Sequence, residues 1–156
     1  MRLMLVLATI AVPAAAYSQG IVSVERGLQV SIVGACHDCH TEGYDVSDGK
    51  IDPAKALIGT SLGWRGPWGT TYPRNLRLLA ASTDEDGFVQ RMKTLKTMPP
   101  MPWFNVQAMD ESDLRSLFLY IKSLGEPGEQ VPAVVPPNEE PKTPYIVIAP
   151  PIMPKT

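Results

Sequence analysis

Cysteine and histidine each occur twice in these 156 residues, and all four fall within five consecutive positions, Cys36-His37-Asp38-Cys39-His40. Every soft ligand of the chain is thus committed to one turn, and no second cluster exists elsewhere. Something is held at that turn, and its chemistry limits what the remaining chain can wrap around.

Three chemistries compete for the cluster. Zinc takes four ligands in a tetrahedron, normally from two separate segments. Four groups on near-consecutive positions cannot converge on one ion. A Cys-x-x-Cys redox pair belongs at the start of a helix after a strand, within a βαβ unit. The flanks show no such arrangement, and a disulfide closing so short a loop stabilises little. The third chemistry is covalent haem attachment, whose signature is C-x-x-C-H. Thiols two residues apart can each bond one vinyl group along one porphyrin edge, and the next histidine is carried beneath the ring. Cys36, Cys39 and His40 fill those places, and one haem c is the expected cofactor. His37 is expected to be a surface or haem-edge residue. The second ring nitrogen of His40 should donate to a backbone carbonyl, at Pro67 or Pro73.

The opposite face of the iron needs its own ligand, and methionine is the usual partner, raising the reduction potential. Met92, Met98, Met101 and Met109 lie between the motif and the last helix. Met92 on an apolar helix face and Met109 as a helix staple suit packing. Met98 and Met101 flank Pro99-Pro100, a stiff loop that limits the ordering entropy a weak thioether must overcome. Both remain candidates on this ground.

The N-terminus has the form of an export signal. Arg2 gives a positive n-region, residues 3–12 an apolar stretch, and Ala14-Ala15-Ala16 or Ala16-Tyr17-Ser18 a cleavage site. The apolar stretch is too short for a bilayer core of about 30 Å. Residues 1–18 are therefore expected to be removed, and the protein to work in the periplasm. A net charge of -2 gives no reason to expect nucleic acid or an acidic membrane surface as partner.

Helical spacing predicts a first helix within 21–33, with Val24, Leu28 and Val30 or Ile32 on its apolar face. Gly27 sits mid-pattern, where it costs about 1 kcal/mol relative to alanine, and is best explained by a second helix crossing there. Residues 41–81 are rich in turn formers and predict a loop-rich wrap with a short helix near 53–57. Ser82-Thr83-Asp84-Glu85 predicts a capping box, followed by a helix with Phe88, Met92 and Leu95 on one side. The last helix runs from an Asp110 cap through Leu114, Leu117, Phe118, Ile121 and Leu124 to a stop at Gly125. In "GWRGPWGTTYPRN", Trp68, Tyr72, Arg74 and Asn75, beside Trp64 and Arg65, offer donors and charge for the haem propionates. Lys93, Lys96 and Lys122 form a solvated face. Nine of the sixteen prolines lie in residues 126–156, a tail expected to lie extended on the domain or on a partner.

Three stretches, "RGLQVSIVGACHDCHTEG", "GPWGTTYPRNL" and "MPPMPWFNVQAMDESDLRSLFLYIKSL", together resemble the class I monohaem c-type cytochromes. They are most similar to cytochrome modules or subunits of periplasmic dehydrogenases, over roughly residues 24 to 125. The resemblance implies Met101 as the distal ligand and a last helix crossing the first at Gly27, with Tyr120 in the family's aromatic position. It implies an all-α cytochrome c fold over residues 21–125, with crossed terminal helices and a loop-rich haem wrap, followed by a proline-rich extension over residues 126–156. The function implied is electron transfer without catalysis. Single electrons would pass from a periplasmic dehydrogenase or other donor to a terminal oxidase or another cytochrome. Membrane contact would come only through a partner complex, with the tail as a docking segment. The rival function is small-ligand binding or peroxidase-like chemistry at a labile distal position, against which the lack of a distal acid-base histidine counts.

Overall fold

The first helix, α1 (Val24–Val33), starts where the sequence puts a serine that can cap it. Ser23 is extended, and its hydroxyl accepts from the Arg26 N–H at 3.1 Å. The computed structural model describes residues 20–154, so the expected signal segment, residues 1–18, lies outside the described residues. Across α1 packs α6 (Glu111–Ser123), and the two meet at Gly27. A Cβ there would sit 2.6 Å from both the Ser116 carbonyl carbon and Tyr120 Cβ, and closer still to the Ser116 oxygen. The helices therefore touch backbone to backbone, which only glycine permits.

That contact trims the expected apolar face of α1: Val30 and Leu28 pack on the core as expected, and Val24 does not. Gly27, Val30 and Ser31 are buried, whereas Val24 and Ile32 remain 38% and 45% exposed. Close approach at the glycine sets the rotation of the helix, so the large side chains flanking that line stay outside. Arg26 reinforces the crossing with a two-pronged bond to Asp113, at 2.7 and 2.8 Å.

Helix α6 buries Leu114, Leu117, Phe118, Tyr120 and Ile121. Asp110 occupies the N-cap position without a side-chain capping bond, and Gly125 ends the helix at φ +87. The capping-box expectation shifts by two residues. Helix α4 (Glu85–Lys93) is capped by Asp84, whose carboxylate accepts from the Gly87 N–H at 2.8 Å. Ser82 instead closes the preceding helix, α3 (Leu76–Ala81). Arg115 on α6 reaches Glu85 and Asp86 on α4 at 2.6 and 2.8 Å, while Phe88 packs on Phe118.

The all-α expectation is overturned. Among the described residues, the six helices α1, α2 (Cys36–His40), α3, α4, α5 (Trp103–Ala108) and α6 accompany a three-stranded mixed sheet. Strands β1 (Gly63–Gly66) and β2 (Gly69–Thr71) form an antiparallel hairpin turning at Pro67-Trp68, with Gly69 at φ +101. The glycines that suggested irregular loop are the hairpin's ends. The expected loop-rich wrap also contains α3. Residues 53–57, expected as a short helix, form a turn: the Ala56 N–H donates to the Asp52 carbonyl at 2.9 Å, and Leu57 leaves it at φ +58.

The tail lies on its own chain. Strand β3 (Tyr145–Val147) adds parallel to β1, with Tyr145 opposite Gly63, giving the order β2-β1-β3. Val135 and Thr70 exchange backbone hydrogen bonds at 2.8 and 2.9 Å. Arg65 donates to Thr70 Oγ1 and to the carbonyls of Pro137 and Glu139, pairs with Glu140 at 3.3 Å and lies over the Tyr145 ring. Buried Arg77 joins the tail's start to the rest, donating to the carbonyls of Pro53, Ala56, Leu124 and Glu126. Among the described residues no helix is long and apolar enough to cross a membrane.

The crossing predicts a severe effect of a single methyl group. Gly27→Ala should destabilise by at least about 3 kcal/mol, because the obstacle is main chain that cannot repack. A shift in the chemical denaturation midpoint with unchanged slope is the expected result.

Candidate functional site

The cysteine turn is positioned by the end of α1. The Gly34 N–H donates to Val30 and the Ala35 N–H to Ile32, and Ala35 then takes φ +57, an unusual value for a residue with a Cβ. A Cβ at Gly34 would lie 2.8 Å from the Val30 oxygen and 2.9 Å from Met109 Cε. This tight reversal launches α2, in which Cys36 and Cys39, three residues apart, share one helical face. Both are half-buried free thiols, and Cys36 packs against the hydrophobic core. Burial, assisted by the charge of Asp38, pushes the Cys36 thiol up to about 11 and raises Cys39 as well. Such thiols differ from the acidified cysteines of redox pairs. Among the described residues no three Cys, His, Asp or Glu side chains converge as ligands of one ion.

His40 is buried, and its Nδ1 lies 2.7 Å from the Arg74 carbonyl oxygen. A carbonyl can only accept, so Nδ1 carries the proton and Nε2 keeps its lone pair. Burial lowers the pKa of the ring, with the carbonyl partly offsetting that shift. The carbonyl comes from Arg74 rather than the expected Pro67 or Pro73. Gly59 makes this approach possible: its N–H donates to the His40 carbonyl at 2.9 Å, and its φ is +79. A Cβ there would lie 2.9 Å from the Arg74 carbonyl carbon and collide with the Pro73 oxygen.

His37 corrects the surface or haem-edge expectation, being fully buried. Its Nε2 lies 3.0 Å from Ser31 Oγ and its Nδ1 2.8 Å from Thr41 Oγ1. The Ser31 hydroxyl donates to the Leu28 carbonyl, so it accepts from Nε2–H. Thr41 Oγ1 accepts from the Leu57 N–H at 2.9 Å and directs its own proton to Nδ1. His37 is thus a neutral connector between α1, the cysteine turn and the 52–57 turn, and burial depresses its pKa to about 4. Ser31, six positions before His37, was the sequence signal for this role, but the i, i+6 spacing crosses a helix end and is invisible to periodicity.

The methionine loop lies between α4 and α5. Met101 is half-buried against the core, whereas Met98 is 38% exposed. Met101 O accepts from the Trp103 N–H at 2.9 Å, and Thr71 Oγ1 on β2 donates to the Pro99 carbonyl at 2.8 Å. Trp103 packs edge-on against Phe104, and Lys93 donates to the Gln107 and Met109 carbonyls at the end of α5.

The four residues singled out as propionate donors have separate environments. Tyr72 OH is 2.8 Å from Thr143 Oγ1 of the tail. Asn75 caps α3 through the Leu78 N–H and donates to the carbonyls of Pro127 and Glu129. The Arg74 side chain is exposed. Trp68 Nε1 is buried without a hydrogen-bond partner among the described residues. An orphaned buried donor is uncommon and requires a partner. By their chemistry these groups suit an iron porphyrin: two thiols on one helical face, an imidazole with a fixed free nitrogen, a half-buried thioether and an indole N–H without a partner.

Compared with protein-family models, curated proteins and solved structures, the chain matches none.

The His37 connector yields a stability test. Thr41→Val keeps the shape but strands both the Leu57 N–H and His37 Nδ1, and should cost about 2 kcal/mol. Thr41→Ser should recover most of that in thermal unfolding.

Proposed function

We propose that this chain is an exported c-type cytochrome, a one-electron carrier holding one haem c through Cys36 and Cys39. His40 Nε2 is the proximal ligand and the Met101 thioether the distal one. The observation that carries this reading is the fixed tautomer of His40, on the same short helix as both thiols. The bound haem would supply an iron that alternates between ferric and ferrous states.

The chain's own residues serve such a carrier by holding still. The Arg74 carbonyl and Gly59 fix the imidazole, so no proton has to move when the charge changes. The proline-flanked loop pre-orders Met101, and the buried core against which Cys36 and Met101 pack keeps water away. Trp68 Nε1 is the donor suited to a propionate. The proposed partners are redox proteins in the periplasm: a dehydrogenase or other donor, and a terminal oxidase or another cytochrome as acceptor. Any membrane contact comes through such a partner complex.

The full precursor, produced in a host that matures c-type cytochromes, tests this directly. After acid-organic extraction the intact mass should equal the chain cleaved after residue 16 or 18 plus one haem. Replacing both cysteines with alanine should remove the increment. Met101→Ala should abolish the iron–sulfur absorption band of the ferric protein and lower its reduction potential. A bare-chain mass sinks the proposal. A high-spin ferric protein whose ferrous form binds carbon monoxide at once points to the ligand-binding or peroxidase-like alternative.

A further inference from the structure

The tail makes more contact with the hairpin than is needed to tether it. Its Val135 exchanges two backbone hydrogen bonds with Thr70, its β3 lies along β1, and Arg65 gathers Pro137, Glu139 and Glu140 against the hairpin. The residue after Thr70 is Thr71, whose hydroxyl donates to Pro99 in the loop that carries Met101. Its distance to the Trp64 carbonyl is longer, 3.4 Å, so the hydroxyl proton belongs to Pro99. A continuous hydrogen-bonded path therefore runs from the tail through β2 to the methionine loop.

We propose that the C-terminal tail braces the methionine loop, acting through the Val135–Thr70 bridge and the Thr71 Oγ1–Pro99 hydrogen bond to hold Met101 in place. Thr71 is a positioning residue, and the inference rests on the reading of Met101 as the distal ligand. The physical basis is differential stability. A thioether is a weak ligand, and an external base replaces it only when the loop swings away. That movement breaks the Thr71–Pro99 bond, so the bond favours the closed loop and, through it, the native ligand. Holding Thr71 at the right height requires β2 to stay fixed, and the tail pairs with β2 at the adjacent residue. Tyr72, next along the chain, is tied to the tail at Thr143. The segment reaching the loop is thus fastened to the tail on both sides of Thr71.

The test is imidazole titration of the ferric holoprotein, with amide hydrogen exchange at Met101 and Trp103 measured alongside. Thr71→Val should raise the apparent imidazole affinity about fivefold, the loss of one ordinary hydrogen bond, and speed exchange at both amides. Thr71→Ser should restore both values. Val135→Pro, which removes the bridge's N–H, should act in the same direction. In the double variant it should add nothing beyond Thr71→Val, because both sit on one path. Arg115→Met, which loosens α4 from α6, should lower the denaturation midpoint while leaving imidazole affinity unchanged, separating positioning from general stability. Unchanged exchange and affinity in Thr71→Val overturn the brace, as do independent, multiplying effects in the double variant. Faster exchange with unchanged affinity supports the brace and overturns the ligand assignment of Met101.

Discussion

The architecture depends on one contact in which two main chains meet without a side chain between them. Gly27 lies against the Ser116 carbonyl, and the rotation of α1 follows from how closely α1 and α6 approach. The crossing buries Val30 and Ser31, and Ser31 then anchors His37. The end of α1 lies beside Met109, and a Cβ at Gly34 would meet the Val30 oxygen at 2.8 Å. The chain reverses there through Ala35, and the cysteine turn follows directly. The helix pair and the cysteine turn, whose His40 finds its carbonyl partner 34 residues away, are thereby made one unit.

Around that unit, main-chain carbonyls do much of the work usually assigned to side chains. The His40 proton goes to the Arg74 carbonyl, and the Arg77 guanidinium donates to four main-chain carbonyls. Thr71 likewise holds a carbonyl, that of Pro99. Carbonyls belong to no residue type, and this explains much of what sequence reasoning could and could not find. Gly27 was legible because glycine inside a helical pattern is costly and demands a reason. The last helix was legible because its apolar spacing is regular. The carbonyl partner of His40 was expected in kind, but at Pro67 or Pro73 rather than Arg74, since nothing in a side chain identifies it. Asp84 was passed over for Ser82 because both are good caps, and the choice rests on where α3 ends.

The hairpin and the tail strand escaped for a different reason. Gly63, Gly66 and Gly69 resemble loop residues, and the two strands they bound are four and three residues long. Such short strands show no alternation, and the third strand pairs with β1 across a long sequence separation, Gly63 with Tyr145. The tail's composition correctly suggested extended backbone without saying where it would lie. Once it lies on the hairpin, Tyr72 and Asn75 gain partners that the sequence had no means of naming.

The position of β3 also bears on how copies of this chain treat one another. A bare hairpin would leave β1 with a row of unpaired N–H and C=O groups, a template onto which a strand from another copy could add. The tail occupies that edge itself. It replaces it with a strand of only three residues, Tyr145–Val147, preceded by Pro144 and followed three positions later by Pro150. Proline cannot donate to a growing ladder, so the edge the tail presents is shorter and poorer in donors than the one it covers.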